Sequence, residues 1–288
     1  MSLVVLCAGG HARVVIEALR SRGARPTAVT DRDCARVGSF LGGIPIIGSD
    51  EDILAMKVDS VELANGLGNR ASRSSPGLSG RRELFGRFAA LGYAFPVISH
   101  ISAVIASDVV PGEGAQVMAG AIIQPGARIG RNVLVNTRAV VEHDCQIGDH
   151  VIMANNATLA GHVVVEDYAL LGGLSAVHQF VRIGQHAMIG GMSGVERDVI
   201  PYGQVMGDRA RLSGLNIIGM QRRGFSREDI QTLRSAYQFL FSADGTFNDR
   251  VTEMAERFGG VAPVDDIIAF IRADSTRAIC QPKGPNGG

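Results

Sequence analysis

Residues 151–190 read VIMANNATLAGHVVVEDYALLGGLSAVHQFVRIGQHAMIG, and every sixth position is aliphatic or Met: Met153, Leu159, Val165, Leu171, Val177, Ile183 and Ile189. The series runs back through Ile147, Val141, Val135, Ile129, Ile123 and Val117 to Ile105, broken only at Pro111, and forward to Val195. Two places before each member stands a small or β-branched residue, such as Ala115, Ala121, Val133, Ala139, Cys145 and Ala157. Glycine often follows the aliphatic, at Gly130, Gly148, Gly184 and Gly190. A helix repeats every 3.6 residues and a strand every 2.0, so neither produces a strict six. Internal repetition at a fixed period decides the architecture.

Hexads of this kind resemble those of the left-handed parallel β-helix, in which three hexads form one triangular coil and the aliphatic fills the prism interior. That fold departs from the usual right-handed crossover. Its coils stack like a solenoid at about 4.8 Å, the spacing of paired strands. The resemblance implies a prism of roughly five to six coils over 97–206, with flat faces that commonly pack into a homotrimer. Hexapeptide-repeat proteins are mostly acyltransferases, and carbonic anhydrases and nucleotidyltransferases also occur among them.

On the N-terminal side, residues 1–96 alternate in the α/β manner. Leu3-Val4-Val5-Leu6-Cys7 is a short apolar run, as expected of a strand buried on both faces. Ala8-Gly9-Gly10-His11-Ala12 breaks it, and Val14, Val15, Ala18 and Leu19 then fall at helical spacing up to Gly23. Further strands are expected at Thr27 to Thr30, ending at Asp31, and at Val61 to Ala64, with a helix marked by Leu84, Phe85, Phe88 and Leu91. This order is half of a Rossmann-like, nucleotide-binding sheet. Glycines let backbone N–H groups approach a phosphate and a helix N-terminus favours negative charge, so Gly9, Gly10 and His11, with Asp31 for a ribose, form a candidate nucleotide site. An empty βα turn explains the loop equally well, because the full GxGxxG spacing is absent.

On the other side, the hexads stop after Gly207. Leu215, Ile218 and Met220 are expected to open helical structure, and Ser226 reads as an N-cap with Glu228 and Asp229 in the first turn. Ile230, Leu233, Tyr237 and Leu240 share a face of that helix. Thr246 to Phe258 and Val264 to Ala273 suggest two more. The unit 207–280 is thus an α-helical domain capping the open prism, and 281–288 is expected to be a disordered tail.

Composition narrows the function. Twenty-eight basic and 28 acidic side chains, with a pI near 7.1, argue against a nucleic-acid-binding protein. Apolar residues at 46% and charged residues at 19% describe a packed core, not a disordered chain. Cys7, Cys34, Cys145 and Cys280 show no metal spacing, so reduced thiols are expected. Leu3 to Cys7 is too short for a signal peptide or a membrane span. These features together suggest a soluble cytoplasmic protein with no integral membrane segment.

Chemistry is sought where the repeat carries residues a core does not need. Glu142-His143-Asp144 sets an imidazole between two carboxylates at a coil corner. Acyl transfer to a sugar hydroxyl or amine needs a base near neutral pH, and an imidazole whose tautomer a carboxylate fixes supplies one. His162 follows 19 residues later and His178 another 16 on, each near one coil of 18, so stacking brings the three to one edge. His150 and His186 read as corner residues, and His100 has no assigned role. A zinc site of three histidines is the competing reading.

Two specific resemblances follow. Asn155-Asn156-Ala157-Thr158-Leu159-Ala160-Gly161-His162-Val163, Gly172-Gly173-Leu174-Ser175-Ala176-Val177-His178-Gln179-Phe180 and Gly190-Gly191-Met192-Ser193-Gly194-Val195 resemble the UDP-N-acetylglucosamine acyltransferases of lipid A synthesis. So do Gly214-Leu215-Asn216-Ile217, Arg222-Arg223-Gly224-Phe225-Ser226-Arg227 and Ser275-Thr276-Arg277, so that the likeness covers about 143–280. Residues 1–150, through Ala8-Gly9-Gly10-His11-Ala12, Pro125-Gly126-Ala127 and Glu142-His143-Asp144-Cys145, are similar to sialic-acid and bacillosamine type sugar acetyltransferases. The chain therefore reads as a composite.

The resemblances imply roles. His143 would be the general base, supported by Asp144 as in the first family or by Glu142 as in the second, and the Gly161 N–H would stabilise the oxyanion. His162, His178, Gln179, Asn216, Arg222 and Arg223 match positions holding the UDP-sugar or its acyl product, two adjacent arginines suiting a diphosphate. Gly191 matches the position that limits the acyl channel. The donor would be an acyl carrier protein or coenzyme A thioester, with Arg222, Arg223 and Arg227 attracting the acidic carrier, and no bound cofactor or metal. Departures are Val140 and Arg209 where the lipid A family has histidine, and Ile218 where it has an acidic residue. The expected reaction is transfer of a 3-hydroxyacyl chain from acyl carrier protein to UDP-N-acetylglucosamine. Acetyl-CoA-dependent N-acetylation of a UDP-4-amino sugar and an inactive trimeric scaffold are the alternatives.

Overall fold

The computed structural model describes residues 1–68, 80–242, 245–273 and 275–283. It opens with β1 (Ser2–Leu6), α1 (Gly10–Ser21), β2 (Ala28–Thr30), β3 (Phe40–Leu41), β4 (Ile44–Gly48), β5 (Val61–Asn65) and α2 (Arg81–Ala90), whose strands form a sheet in the order β3-β4-β2-β1-β5. β1 pairs in parallel with β2 and β5, β2 pairs in parallel with β4, and β3 turns back on β4. Val4, Val5 and Leu6 are buried, as a central strand covered on both faces requires. One face packs against α1 and against Ile98, Met118 and Leu134 of the prism, and the other against Leu84, Phe85 and Phe88 of α2. β3 and β4 are an addition to the sequence reading. β3 is only two residues long, and Pro45 inside β4 argues against a strand on sequence grounds.

From Ile98 the chain winds into three-sided parallel coils of two-residue strands. Gln116, Leu134, Ile152, Leu170 and Met188 are successive partners in one face, each 18 residues from the last. The six-residue series from Val117 to Val195 lies inside, with Val117, Val135, Val141, Met153, Leu159 and Leu171 fully buried, and the small residues two places earlier are buried beside it.

The corners need a left-handed backbone, and three columns supply it. Asn132, His150, Tyr168 and His186 form one; Asp144, His162 and Phe180 the second; Arg138, Asn156, Leu174 and Met192 the third, all with φ between 52° and 63°. Each such residue costs roughly 1 kcal/mol, least for Asn, Asp and His. Carboxylates from the next coil recover part of this by accepting corner N–H groups. Asp149 Oδ1 takes Arg131 N at 2.7 Å, Asp167 Oδ1 takes Asp149 N at 2.8 Å, and Asp198 Oδ1 takes Arg182 N at 2.8 Å.

The last face continues into a strand pair, Gly203–Met206 with Arg211–Leu215, antiparallel. Leu215 therefore ends a strand, and helical structure opens two residues later than expected, at Ile217, because the hairpin extends the prism sheet before the chain leaves it. α3 (Ile217–Arg222), α4 (Arg227–Leu240), α5 (Phe247–Phe258) and α6 (Ala262–Arg272) follow. Ser226 Oγ accepts Asp229 N at 3.0 Å, and Thr246 with Asp249 closes a capping box on α5. Ile230, Leu233, Leu240, Val264 and Ile267 join a core continuous with the prism interior.

The expected tail is corrected in part. Leu212 N donates to Gln281 O at 3.1 Å and Leu212 bridges Pro282, so the chain is bound to the prism as far as 282. Residues 284–288 lie outside the described residues. All four cysteines are free. Among the described residues no helix is long and apolar enough to cross a membrane.

Candidate active site

The corner at Glu142-His143-Asp144 is built on missing side chains. A Cβ on Gly161, one coil further on, would sit 2.6 Å from both Cε1 and Nε2 of His143. The imidazole edge therefore lies directly on the Gly161 backbone. Gly126, one coil earlier, takes the left-handed φ of 74°, and a Cβ there would collide with Asp144 Oδ1. The residues stay open to solvent, with side-chain exposures of 54% for His143, 52% for Asp144 and 43% for His162.

The left-handed turn at Asp144 swings its carboxylate back onto its neighbour, and Oδ2 accepts from His143 Nδ1 at 2.9 Å. A carboxylate only accepts, so Nδ1 carries the ring hydrogen and Nε2 is left as a bare acceptor. The hydrogen bond from His143, with the neighbouring His162 and His143 charges, holds the Asp144 carboxyl below the usual carboxylate range. His162 Nε2 lies 3.8 Å from the same oxygen, and its ring stands edge-on to His143 at 5.0 Å and stacks flat on Phe180 at 4.7 Å. No hydrogen bond joins the Glu142 side chain to the imidazole, so of the two carboxylates left open by the sequence, Asp144 is the partner in place. In the His150 column carboxylates cap the turn N–H groups of Arg131, Asp149 and Gln185, whereas among the described residues the Gly161 backbone, against which the His143 ring lies, carries no such carboxylate.

His178 lies on the same edge but in the column of Glu142, two coils on. It accepts from Arg277 Nη2 at 2.7 Å, and Gln179 O accepts Arg277 Nε at 3.1 Å. His178 thus sits in a different column from His143 and His162. His143, Asp144 and His162 do bring one donor atom each within 4.8 Å of one another. Gly191 is exposed and lies over Gly173, with Leu174 and Met192 exposed by 60% and 74% beside them.

Two of the expected substrate-binding side chains make hydrogen bonds within the fold. The Asn216 side chain, 7% exposed, is spent on structure: Oδ1 caps α3 by accepting Gly219 N at 3.1 Å, and Nδ2 donates to His186 O at 3.0 Å. Arg223 turns inward, its Nη2 donating to Tyr168 O at 3.0 Å, while Arg222 stays exposed, so the pair does not present one face to a diphosphate. Burial lowers Arg223 to about 10, with Arg82 and Arg222 adding to the effect.

The sequence reading missed what occupies the other column. His150, Tyr168, His186 and Tyr202 stack ring on ring at 5.0, 4.6 and 5.3 Å, with Phe85 edge-on at one end and Phe225 at the other. Arg82 lies over Tyr168 at 5.3 Å. This ladder ties α2 to the C-terminal domain across one prism corner. The signal was present, since Asn132, His150, Tyr168 and His186 are 18 apart.

The glycine loop leaves Gly9 and Gly10 open, with nothing within 4 Å of an added Cβ. His11 faces inward instead: its Nε2 meets Gln116 Oε1 at 2.8 Å, and burial lowers it to about 4. Asp31 pairs with Arg36, whose Nη1 also reaches Ala8 O at 3.1 Å. Both side chains are thus engaged within the fold.

The hexad prism with a His-Asp corner defines a hexapeptide-repeat acyltransferase, and comparison with known proteins agrees. The bacterial transferase hexapeptide model (six repeats) matches 126–161, the PglD N-terminal domain matches 2–75, and domain 2 of UDP-N-acetylglucosamine O-acyltransferase matches 198–280. A solved structure of a perosamine N-acetyltransferase variant from Caulobacter crescentus, with CoA and GDP-perosamine, is 32% identical, with a TM-score of 0.67 over 74% of this chain and 97% of its own. The Arabidopsis UDP-N-acetylglucosamine acyltransferase is 34% identical, with a TM-score of 0.52 over 62% and 76%. The acyl-[acyl-carrier-protein]–UDP-N-acetylglucosamine O-acyltransferase of Methylobacterium radiotolerans is 55% identical over 89 residues, 31% of this chain and 33% of that protein. The chain thus spans about a third of the curated relatives it matches. It belongs to the hexapeptide-repeat acyltransferases, as a composite of the sugar acetyltransferase and UDP-N-acetylglucosamine acyltransferase types.

Proposed function

We propose that the protein moves an acyl group from a thioester carrier to a UDP-linked amino sugar, with His143 as the base. The observation that carries this is the Asp144–His143 pair lying on Gly161, which leaves a bare, solvent-exposed imidazole nitrogen against a glycine backbone. The acceptor O–H or N–H gives its proton to His143 Nε2 as its oxygen or nitrogen bonds to the thioester carbonyl carbon. The carbonyl oxygen becomes an oxyanion and takes the Gly161 N–H. The C–S bond then breaks, and the departing sulfur receives the proton from His143. Asp144 stabilises the transient imidazolium, and His162, on the same oxygen, adds a polar contact for the sugar.

The favoured substrates are a 3-hydroxyacyl chain on acyl carrier protein and UDP-N-acetylglucosamine. The apolar strip of Leu174 and Met192 beside Gly173 and Gly191 supports a long acyl group, and the C-terminal likeness supports that acceptor. Acetyl-CoA-dependent N-acetylation of a UDP-4-amino sugar is the second reading. It is favoured by the N-terminal domain and by the Caulobacter likeness, which covers 97% of that enzyme. In both readings the corner works between copies of a homotrimer, in the cytoplasm. The test offers purified protein 3-hydroxyacyl carrier protein or acetyl-CoA with each acceptor and follows free thiol. Thiol release only from acetyl-CoA with a 4-amino sugar overturns the first reading, and none from any pairing favours a scaffold.

A further inference from the structure

The C-terminal segment 275–282 returns along the prism to the active corner. Its anchor is buried: Asp198, with no exposed surface, accepts Arg182 Nε at 2.8 Å and Ser275 Oγ at 2.6 Å, and exchanges backbone hydrogen bonds with Ala278 and Cys280. Ser275 Oγ accepts Arg277 N at 3.1 Å, which fixes the turn. Arg277 then spans two atoms of the corner, donating through Nη2 to His178 Nδ1 at 2.7 Å and through Nε to Gln179 O at 3.1 Å.

A guanidinium has no acceptor. At 2.7 Å His178 Nδ1 must therefore be the bare nitrogen, and the ring hydrogen sits on Nε2. The Gln179 carbonyl, 3.4 Å from the same Nδ1, is the weaker contact and is already engaged by Arg277. We infer that Arg277 is a positioning residue that holds His178 as an Nε2–H donor at the active edge, the opposite tautomer to His143. One imidazole then accepts a proton through Nε2 while the other offers a hydrogen bond through Nε2 to an oxygen of the bound substrate. Which oxygen is served rests on the acyltransferase reading, whereas the tautomer does not.

The test is nitrogen-15 NMR of histidine-labelled full-length protein near neutral pH, with the His178 signals assigned by their loss in His178→Gln. The protonated nitrogen of His178 should be the one coupled to both ring carbon-bound hydrogens, Nε2. Arg277→Ala should mix the tautomers, and Arg277→Lys, which still donates, should largely restore Nε2–H. Arg277→Ala should lower kcat/KM about ten- to a hundred-fold, as expected when a charge-assisted hydrogen bond is lost. The Arg277→Ala, His178→Ala double variant should be little worse than His178→Ala. A hydrogen on Nδ1 in the unaltered protein overturns the inference, as does an Arg277→Ala protein with an unchanged His178 tautomer. Should no donor and acceptor pair react, the acyltransferase reading fails and the tautomer result still decides this one.

Discussion

At the scale of single residues, the division of labour between Glu142 and Asp144 is the sharpest question. Both flank His143 in sequence, and the left-handed φ of 59° at Asp144 is what turns one of them onto Nδ1. Asp144→Asn presents an amide that can offer a donor to Nδ1 and favour the wrong tautomer, so kcat should fall about 10²–10⁴-fold. Glu142→Gln should stay within about fivefold, since the hydrogen bond to the imidazole comes from Asp144 and none from Glu142. Comparable losses in both variants in the thiol-release assay would show that the carboxylates share the role. Gly161→Ala is a second test of the same geometry. Its Cβ would occupy the space of the exposed imidazole edge 2.6 Å away, so the ring must swing out. Activity should fall about a hundredfold or more while the thermal midpoint moves by only a few degrees.

At the scale of elements, the aromatic column is a strut whose rungs include titratable rings. Burial, helped by Arg223 and Arg82, lowers His186 to about 3, and burial lowers His150 and His11 to about 4. The unfolded chain takes up these protons near the ordinary value of 6.5, so it binds more protons than the folded one between about 6.5 and 4. Their contribution to stability is complete above about 6.5 and is lost as the pH falls toward the folded values. His186→Phe keeps a flat ring between Tyr168 and Tyr202 and removes a buried nitrogen, Nδ1, that has no partner. It should change stability at pH 7 by less than about 1.5 kcal/mol. It should also flatten the decline between pH 6.5 and 4 by up to about 1.4 kcal/mol per unit, read from denaturant midpoints. An unchanged slope would mean that His186 does not carry the difference.

At the scale of the whole molecule, the corner of His143, Asp144 and His162 is half exposed, and the strip at Leu174 and Met192 is uncovered in a single chain. Exposed apolar residues in line mark interaction surfaces. The trimeric reading expects a mass three times 30.4 kDa by light scattering. It also expects that Met192→Glu, which leaves the His143 corner intact, lowers both mass and activity. A single-chain mass with full activity would remove the shared-site reading.

What the sequence by itself determined was the prism, because a strict period of six with an aliphatic inside leaves one way to bury that stripe. It also determined the corner at Glu142-His143-Asp144, because charged residues interrupt an otherwise apolar repeat there. Only the tertiary structure decided which carboxylate serves His143, where Arg223 and Asn216 are spent, and that Arg277 reaches His178 from 99 positions away. Register and burial follow from local pattern, which a sequence displays. The partner of a particular nitrogen depends on a corner dihedral and on how a distant segment packs back, and no spacing along the chain encodes either.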